Sequence, residues 1–555
     1  MADPNLIDLT NVVWHLAPEL QSQIPPAEWL REDRATVVKH GTFRTVWQVT
    51  LPNAVIYLKQ CRPTGLRAWI REWLRPAKGL LEFRKASAIA GLNVPVPPPL
   101  GWGRRRGYLP TDSFVVTHSV AGTETLDRCL TTLEQTPPNG NTSARRKILA
   151  VALGEFLARL HESGVAHPDL HPGNLLIRWD GNTPSLFLID LHDVELHSPL
   201  SWSASRASLA LFNRWFIVRA SRTDRLRFWH AYCHSRRSHP AWQSKTLINR
   251  RACEVERATW QSNLRFWRGR ASRCLGDNRH FQRIHETNFV GHAVRDIGNE
   301  ALRELLRDPD APFRDGRNRL IKESRSTTIV EMTLTVGVRR VPVIYKRFRA
   351  RARFDATKSL FRKPPALRSW CAGHGLRDAC LQTPRPIAVW HRCRRGRLLE
   401  GYLIVEKIVD AIDLCRYSHE LRHQIPERRS AMIRETVQRI ARAVREMHQR
   451  RWMHMDLKAN NLLISASGTD VWFIDLAGAM RIRAGYDCRL RDLARLNVSF
   501  INDPLLTRTE RLRFLRTWMD WAMRGSGGWK RLWRGIDQLT AKKVEQNRRS
   551  GRPLA

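Results

Sequence analysis

The stretch His167–Ile177, HPDLHPGNLLI, returns at His454–Ile464 as HMDLKANNLLI. Each copy is a His, one residue, Asp-Leu, then an Asn that opens an apolar run. Each is followed by a second apolar run ending in Ile-Asp-Leu, LFLIDL through Asp190 and VWFIDL through Asp475. Other pairs keep the same order. Lys59 lies late in the strand-like AVIYLKQ and Lys346 in PVIYKRF, and Lys59 stands as far from Asp169 as Lys346 does from Asp456. LNVPVPPPLGW from Leu92 answers LQTPRPIAVW from Leu381, and SRTDRLRFW from Ser221 answers TRTERLRFL from Thr507. Chance does not preserve order and spacing in this way, so the chain is read as a tandem duplication.

Within each unit, strands come first and helices later. TVWQVTL and AVIYLK alternate in the manner of half-buried strands. A charged helix over roughly 77–90 ends at Asn93 and a Pro cluster. ARRKILAVALGEFLARLHESG has apolar residues at helical spacing, with Gly164 as its C-cap. The repeated motif therefore starts in a loop behind a buried helix. The two apolar runs after it pair as a hairpin and bring Asn174 beside Asp190. The predicted class is α+β: two domains, each with a small β-rich lobe and a larger helical lobe. The expected boundaries are an N-terminal extension at 1–30, a first domain at 31–275, a linker with a short helix at 276–318, a second domain at 319–540 and a basic tail at 541–555.

With 555 residues, more than one domain is expected, and 42% apolar content excludes a wholly disordered chain. Lys and Arg number 94 against 52 Asp and Glu, a formal charge of +42, which calls for anionic partners. Ten Cys without a C-x-x-C pair argue against a zinc cluster or disulfide scaffold and point to a reducing compartment. MADPNLIDLTNVVWH lacks the basic start and apolar stretch of a signal peptide, and no run has membrane-spanning length.

Phosphoryl transfer from a nucleotide needs a cation on the α/β-phosphates, two ligands for a metal and a carboxylate facing the acceptor hydroxyl. The first unit offers Lys59, Asp190, Asn174 and Asp169; the second offers Lys346, Asp475, Asn461 and Asp456. The chain resembles the protein-kinase-like superfamily in these residues. In GTFRTVWQV, SFVVTHSV, HPDLHPGNLL, FLIDLHDVEL, TPRPIAV and RDLARLNVS it is similar to the bacterial lipopolysaccharide kinases that phosphorylate Kdo or heptose. That resemblance implies two tandem kinase-like domains using ATP and Mg2+ to phosphorylate a sugar hydroxyl of a lipid-linked, anionic core glycan. It further implies a cytoplasmic protein in peripheral contact with the acidic inner-membrane surface, with no nucleic-acid partner. The alternative is a tandem pseudokinase acting as a nucleotide-binding scaffold or sensor.

By the same resemblance, Asp169 and Asp456 are the catalytic carboxylates. Lys59, Glu82, Lys346 and Gly41 hold the nucleotide, and Asn174, Asp190, Asn461 and Asp475 hold metal. Glu82 matches the acid that orients the kinase lysine. Aligned on the Pro motif, the second unit has Cys371 there. Asp492 matches the acid behind the catalytic loop, and the first unit has Ser208 there. The phosphate loops are poor in glycine, with Gly41 alone in KHGTFRTVW and none in KESRSTTIV; Lys39, Arg44, Lys322 and Arg325 either compensate in part with charge or are ordinary basic surface near a hairpin. His167 and His454 are expected to brace the loop. His171 and His192 either approach the phosphates or pack, and Lys458 is a further candidate near the transferred group. Of 21 Trp, many adjoin Arg, as in RFWRGR and RRW. Interfacial anchoring, nucleic-acid stacking and helix packing all fit that pattern.

Overall fold

The computed structural model describes the chain apart from residues 1–6, 22–23, 108–109, 138, 238–239, 350–362, 395–396, 483–485, 520–527 and 552–555. The chain divides into two compact units, Met1–Asn263 and Leu264–Ala555. Each has a β-rich first part and a helical second part, as the duplicated pattern predicts.

In the first unit β1 (Val12–Leu16), β2 (Ala35–His40), β3 (Arg44–Thr50), β4 (Val55–Cys61), β5 (Pro99–Arg105) and β6 (Ser113–His118) form one sheet in the order β1-β5-β6-β4-β3-β2. Neighbours are antiparallel throughout. Trp47, Val49, Ile56 and Leu58 alternate onto its buried face with Phe114 and Val116. Between β4 and β5 the chain forms α1 (Leu66–Leu74) and α2 (Lys78–Gly91). Asn93, at φ +56, turns the chain out of α2.

The helical part centres on α3 (Gly140–Glu162), started by a capping box between Asn139 and Thr142 and followed by Gly164 at φ +71. A Cβ at Gly164 would stand 2.0 Å from the His197 carbonyl oxygen, so the residue is glycine for space as well as for torsion. The predicted hairpin forms from β7 (Leu175–Asp180) and β8 (Thr183–Leu188), in the register Leu175↔Leu188. α4 (Trp202–Phe216) and α5 (Arg222–Ser235) follow.

The second unit repeats this plan with a larger sheet. Its strands are β9 (Phe281–Glu286), β10 (Phe289–Val294), β11 (Arg319–Glu323), β12 (Thr327–Val336), β13 (Arg339–Phe348), β14 (Pro386–Arg394) and β15 (Arg397–Glu406), in the order β9-β10-β14-β15-β13-β12-β11. α6 (Pro365–Asp378) packs against β14 and β15. α7 (Pro426–Gln449) is the counterpart of α3, and the hairpin of β16 (Leu462–Ser465) and β17 (Val471–Phe473) is shorter than its counterpart. α8 (Tyr486–Val498), α9 (Arg508–Trp518) and α10 (Gly528–Arg549) complete the unit.

Three expected boundaries are redrawn. The segment 276–318, expected as a linker, carries β9 and β10, and β10 pairs with β14. Within 1–30, expected as an extension, β1 pairs with β5 at the equivalent sheet edge. Both additions satisfy edge N–H and C=O groups and bury apolar side chains, Val12 in one unit and Ile284 and Ala293 in the other. The expected tail, 541–555, is helical through Arg549; Thr540 in the same helix is buried and accepts a 3.1 Å bond from Asn497 Nδ2.

Candidate active site

β4 presents Lys59, and α2 presents Glu82 on its buried side. Lys59 Nζ donates to both Glu82 oxygens (2.6 Å to Oε2) and lies 3.3 Å from Asp190 Oδ1. Asp190 follows β8 in the left-handed region, at φ +65. Ile189 N donates to the Asn174 carbonyl at 3.0 Å, so the hairpin does bring Asn174 and Asp190 together. Asn174 Nδ2 donates to the Asp169 carbonyl (2.8 Å), which leaves its Oδ1 as the end able to ligate. The Asp169 carboxylate is 78% exposed and 3.6 Å from His171 Nε2. His167 accepts from Asp169 N at 3.2 Å on Nδ1 and donates from Nε2 to the Ile189 carbonyl at 3.3 Å, bracing the loop as expected.

Two further groups converge on Asp190. Arg44, from the start of β3, donates from Nη1 to Oδ2 (3.0 Å) and from Nη2 to Oδ1 (2.7 Å). His192 Nδ1 donates to Oδ1 at 2.8 Å. Burial works against ionisation of Asp190, yet the His192 bond and the Arg44 guanidinium outweigh it and hold its carboxyl well below the usual carboxylate range. The bond to Asp190 in turn raises the His192 imidazole. Burial pushes the Glu82 carboxyl up to about 7, with Arg44 pulling the other way. Among the described residues, one set of ligand atoms lies close enough to share a metal: Glu82, Asp190 and His192, all within 4.8 Å of one another. Ionised oxygen donors at Asp190 and the amide Oδ1 of Asn174 would suit a hard divalent cation, and here Arg44 and Lys59 neutralise the Asp190 carboxylate. Gly41 forms the turn between β2 and β3, its carbonyl accepting from Arg62 Nη1 at 3.2 Å.

The second unit assembles the same backbone with different partners. Asp475 is again left-handed, at φ +57, and Ile474 N donates to the Asn461 carbonyl at 3.0 Å. Asn461 Nδ2 donates to the Asp456 carbonyl at 2.8 Å, and His454 Nε2 to the Ile474 carbonyl at 2.8 Å. Lys346 and Asp475 share a cavity of about 380 Å³ with Ser369 and Gly373. Burial lowers the Lys346 amine, and the Asp475 charge opposes that shift. Asp456 is ion-paired to Arg495 and lies 3.6 Å from Lys458 Nζ. The sequence signal for Arg495 was its place one turn after Asp492 on a helix behind the loop.

The expected match of Cys371 to Glu82 is corrected to Ser369. The left-handed residues after the two helices are Asn93 and Cys380. Pro95 and Gln382 carbonyls receive equivalent bonds from Leu188 N and Phe473 N. Pairing these residues puts Pro97 and Pro99 over Pro384 and Pro386, and Glu82 over Ser369. Matching Leu92 to Leu381 had slipped the register by two. Ser369 Oγ donates back to the Pro365 carbonyl (3.0 Å), while Cys371 packs on the β-sheet core side with Cys274. Lys346 therefore still faces a position without a carboxylate.

The match of Ser208 to Asp492 holds. Asp492 is fully buried and accepts from His454 N (2.8 Å), Met455 N (2.8 Å) and His448 Nε2 (3.4 Å). In the first unit Ser208 Oγ meets His161 Nε2 at 2.9 Å. The residue matching Met455 there is Pro168, which has no N–H and cannot take the positive φ of Met455. The acid and its donor are exchanged together.

Two stretches, 29–232 and 316–518, match the model of the lipopolysaccharide kinase (Kdo/WaaP) family. A 3-deoxy-D-manno-octulosonic acid kinase of Vibrio cholerae is 33% identical over 125 residues, 22% of this chain and 48% of that protein. One of Photobacterium profundum is 33% identical over 124 residues, 22% of this chain and 47% of that protein. The chain thus spans about half the length of these relatives. Among solved structures, WaaP in complex with acyl carrier protein aligns at 17% identity and a TM-score of 0.32, covering 44% of this chain and 99% of that one. A Toxoplasma gondii rhoptry antigen kinase domain aligns at 10% identity and 0.28, covering 40% and 81%. With both units matched, the chain belongs to the lipopolysaccharide kinase (Kdo/WaaP) family, as two kinase-like domains in tandem.

Proposed function

We propose that the protein is an ATP- and Mg2+-dependent phosphotransferase that phosphorylates a sugar hydroxyl, of the Kdo or heptose type, in a lipid-linked core glycan at the membrane surface. One observation carries this reading: Lys59, Glu82 and Asp190 are joined in a single ion-paired cluster, with the Asp169 carboxylate open to solvent. In this reading Lys59, oriented by Glu82, holds the α/β-phosphates. Asp190 and Asn174 hold Mg2+, which neutralises charge on the phosphates when bound. Asp169 orients the acceptor hydroxyl and takes its proton as the oxygen–phosphorus bond forms and the bond to the ADP oxygen breaks. Arg44 has to leave Asp190 for the cation, and from the phosphate loop it can move onto the phosphates. Lys346, Asp475, Asn461 and Asp456 stand at the matching positions of the second unit. The kinase names of the relatives support a sugar acceptor.

A scaffold role is favoured for the second unit alone, because Lys346 lacks an orienting carboxylate and Asp456 is engaged by Arg495. The deciding experiment is transfer of labelled γ-phosphate to a lipid-free core saccharide, and separately to a generic protein, by wild type, Asp190→Asn, Asp475→Asn and the double variant. Loss of saccharide label in Asp190→Asn is the expected result. Loss in the double variant alone would make both units active, and label on protein would overturn the acceptor assignment.

A further inference from the structure

Several tryptophans that lie against arginine are packing residues. Trp242, Trp267, Trp452 and Trp518 are buried, and Arg251 lies over Trp242 at 4.2 Å and Arg481 over Trp452 at 5.4 Å. α1 (Leu66–Leu74) is different. Leu66 and Leu74 are 74% and 73% exposed, Trp73 66% and Ile70 44%. At 100° per residue these positions and Trp69 fill an arc of about 140° on one face. The rings of Trp69 and Trp73 stack along it with centroids 6.4 Å apart. Arg67, Arg71 and Arg75 recur every four residues, which places their positions along the adjoining edge, and Glu72 is the helix's one acid. Phe43, 63% exposed, belongs to the same end of the sheet, since Arg62 N donates to its carbonyl at 3.0 Å. A helix this short gains little from propensity alone, so its apolar face needs a surface.

We infer that α1 is an interfacial anchor that lies in the headgroup layer of an anionic phospholipid bilayer. A Trp- and Leu-bearing face bordered by a row of arginines matches the two layers of such a surface: acyl boundary below, phosphates beside. The +42 charge of the whole chain complements the same surface. A second copy of this chain would instead bring like-charged arginine rows together. α1 joins the strand of Lys59 to the helix of Glu82, so the bilayer contact sits on the small lobe that holds the first site's lysine. The inference extends the membrane placement of the proposed function, but its test involves neither nucleotide nor glycan.

The test is co-sedimentation of the full-length protein with vesicles of phosphatidylcholine alone or with phosphatidylglycerol added. Wild type is compared with Leu66→Ser/Trp73→Ser/Leu74→Ser and with Arg67→Glu/Arg71→Glu. Expected is salt-sensitive binding to the anionic vesicles, weakened roughly tenfold or more in each variant, with an unchanged melting temperature in the triple variant because Leu66, Trp73 and Leu74 are exposed. Variants that bind like wild type would overturn the inference. So would a wild-type dimer, by light scattering, that the triple variant turns into a monomer. Failure here leaves the phosphotransfer reading standing, and an inactive enzyme that still binds vesicles leaves this one standing.

Discussion

Arg44 and Ser369 show what single side chains contribute to the two sites. Arg44 holds Asp190 through a two-point contact, the geometry in which guanidinium–carboxylate pairs are strongest. Arg44→Ala frees Oδ2 and removes one of the donors on Oδ1, which His192 and Lys59 still hold, and nucleotide-free protein is expected to bind Mn2+ about tenfold more tightly by electron paramagnetic resonance titration, a change of about 1.4 kcal/mol. Ser369→Glu offers Lys346 the carboxylate that Glu82 gives Lys59. In an Asp190→Asn background, where saccharide label is otherwise lost, it is expected to restore measurable label, whereas Cys371→Glu, on the side of the helix facing Cys274, is not. Equal effects of the two variants would refute the corrected register. That Asp169, Asn174 and Asp190 come together was readable from spacing, because a short loop and hairpin fix which groups meet. Arg44 on Asp190 was not, since a side chain from another strand reaches it through space.

At the scale of elements, the support behind the catalytic loop is exchanged as a set. Asp492→Ser strips His454 N and Met455 N of a buried acceptor and is expected to cost about 3 kcal/mol in denaturant unfolding of the second unit. The reverse change, Ser208→Asp, buries a carboxylate behind Pro168, where one donor is absent, and is expected to destabilise the first unit by a similar amount of about 3 kcal/mol. A stabilising Ser208→Asp would show that the proline loop tolerates the acid. The sequence alone presented Ser208 as a missing support. The structure shows instead that His161 is held from both sides, by Ser208 and by Tyr232 OH at 2.8 Å, with Arg236 on the same tyrosine.

The whole molecule keeps several histidines neutral. Burial, aided by Arg236, lowers His161 to about 3; burial lowers His374 to about 3 and His391 to about 4. An unfolded chain protonates these groups near pH 6.5, so their contribution is fully present above that pH and is lost as pH falls toward about 4 and then about 3. Each histidine contributes a slope of up to about 1.4 kcal/mol per pH unit in that window. Calorimetry is expected to show melting temperatures level between pH 7 and 8 that fall steadily below about 6.5; a flat profile down to pH 5 would contradict the burial of these rings. Among the described residues no helix is long and apolar enough to cross a membrane.

What the sequence determined by itself was the duplication, the strand-then-helix order of each unit, and the loop–hairpin geometry that joins Asn174 to Asp190 and Asn461 to Asp475. These follow from local periodicity and short fixed spacings, which a linear reading captures. Tertiary structure alone decided that 276–318 supplies sheet strands, that Ser369 rather than Cys371 faces Lys346, and that Arg44 and Arg495 close on opposite carboxylates in the two units. Each of these depends on which edge hydrogen bonds remain unpaired, or on charges brought together from distant segments, and neither leaves a periodic trace in the chain.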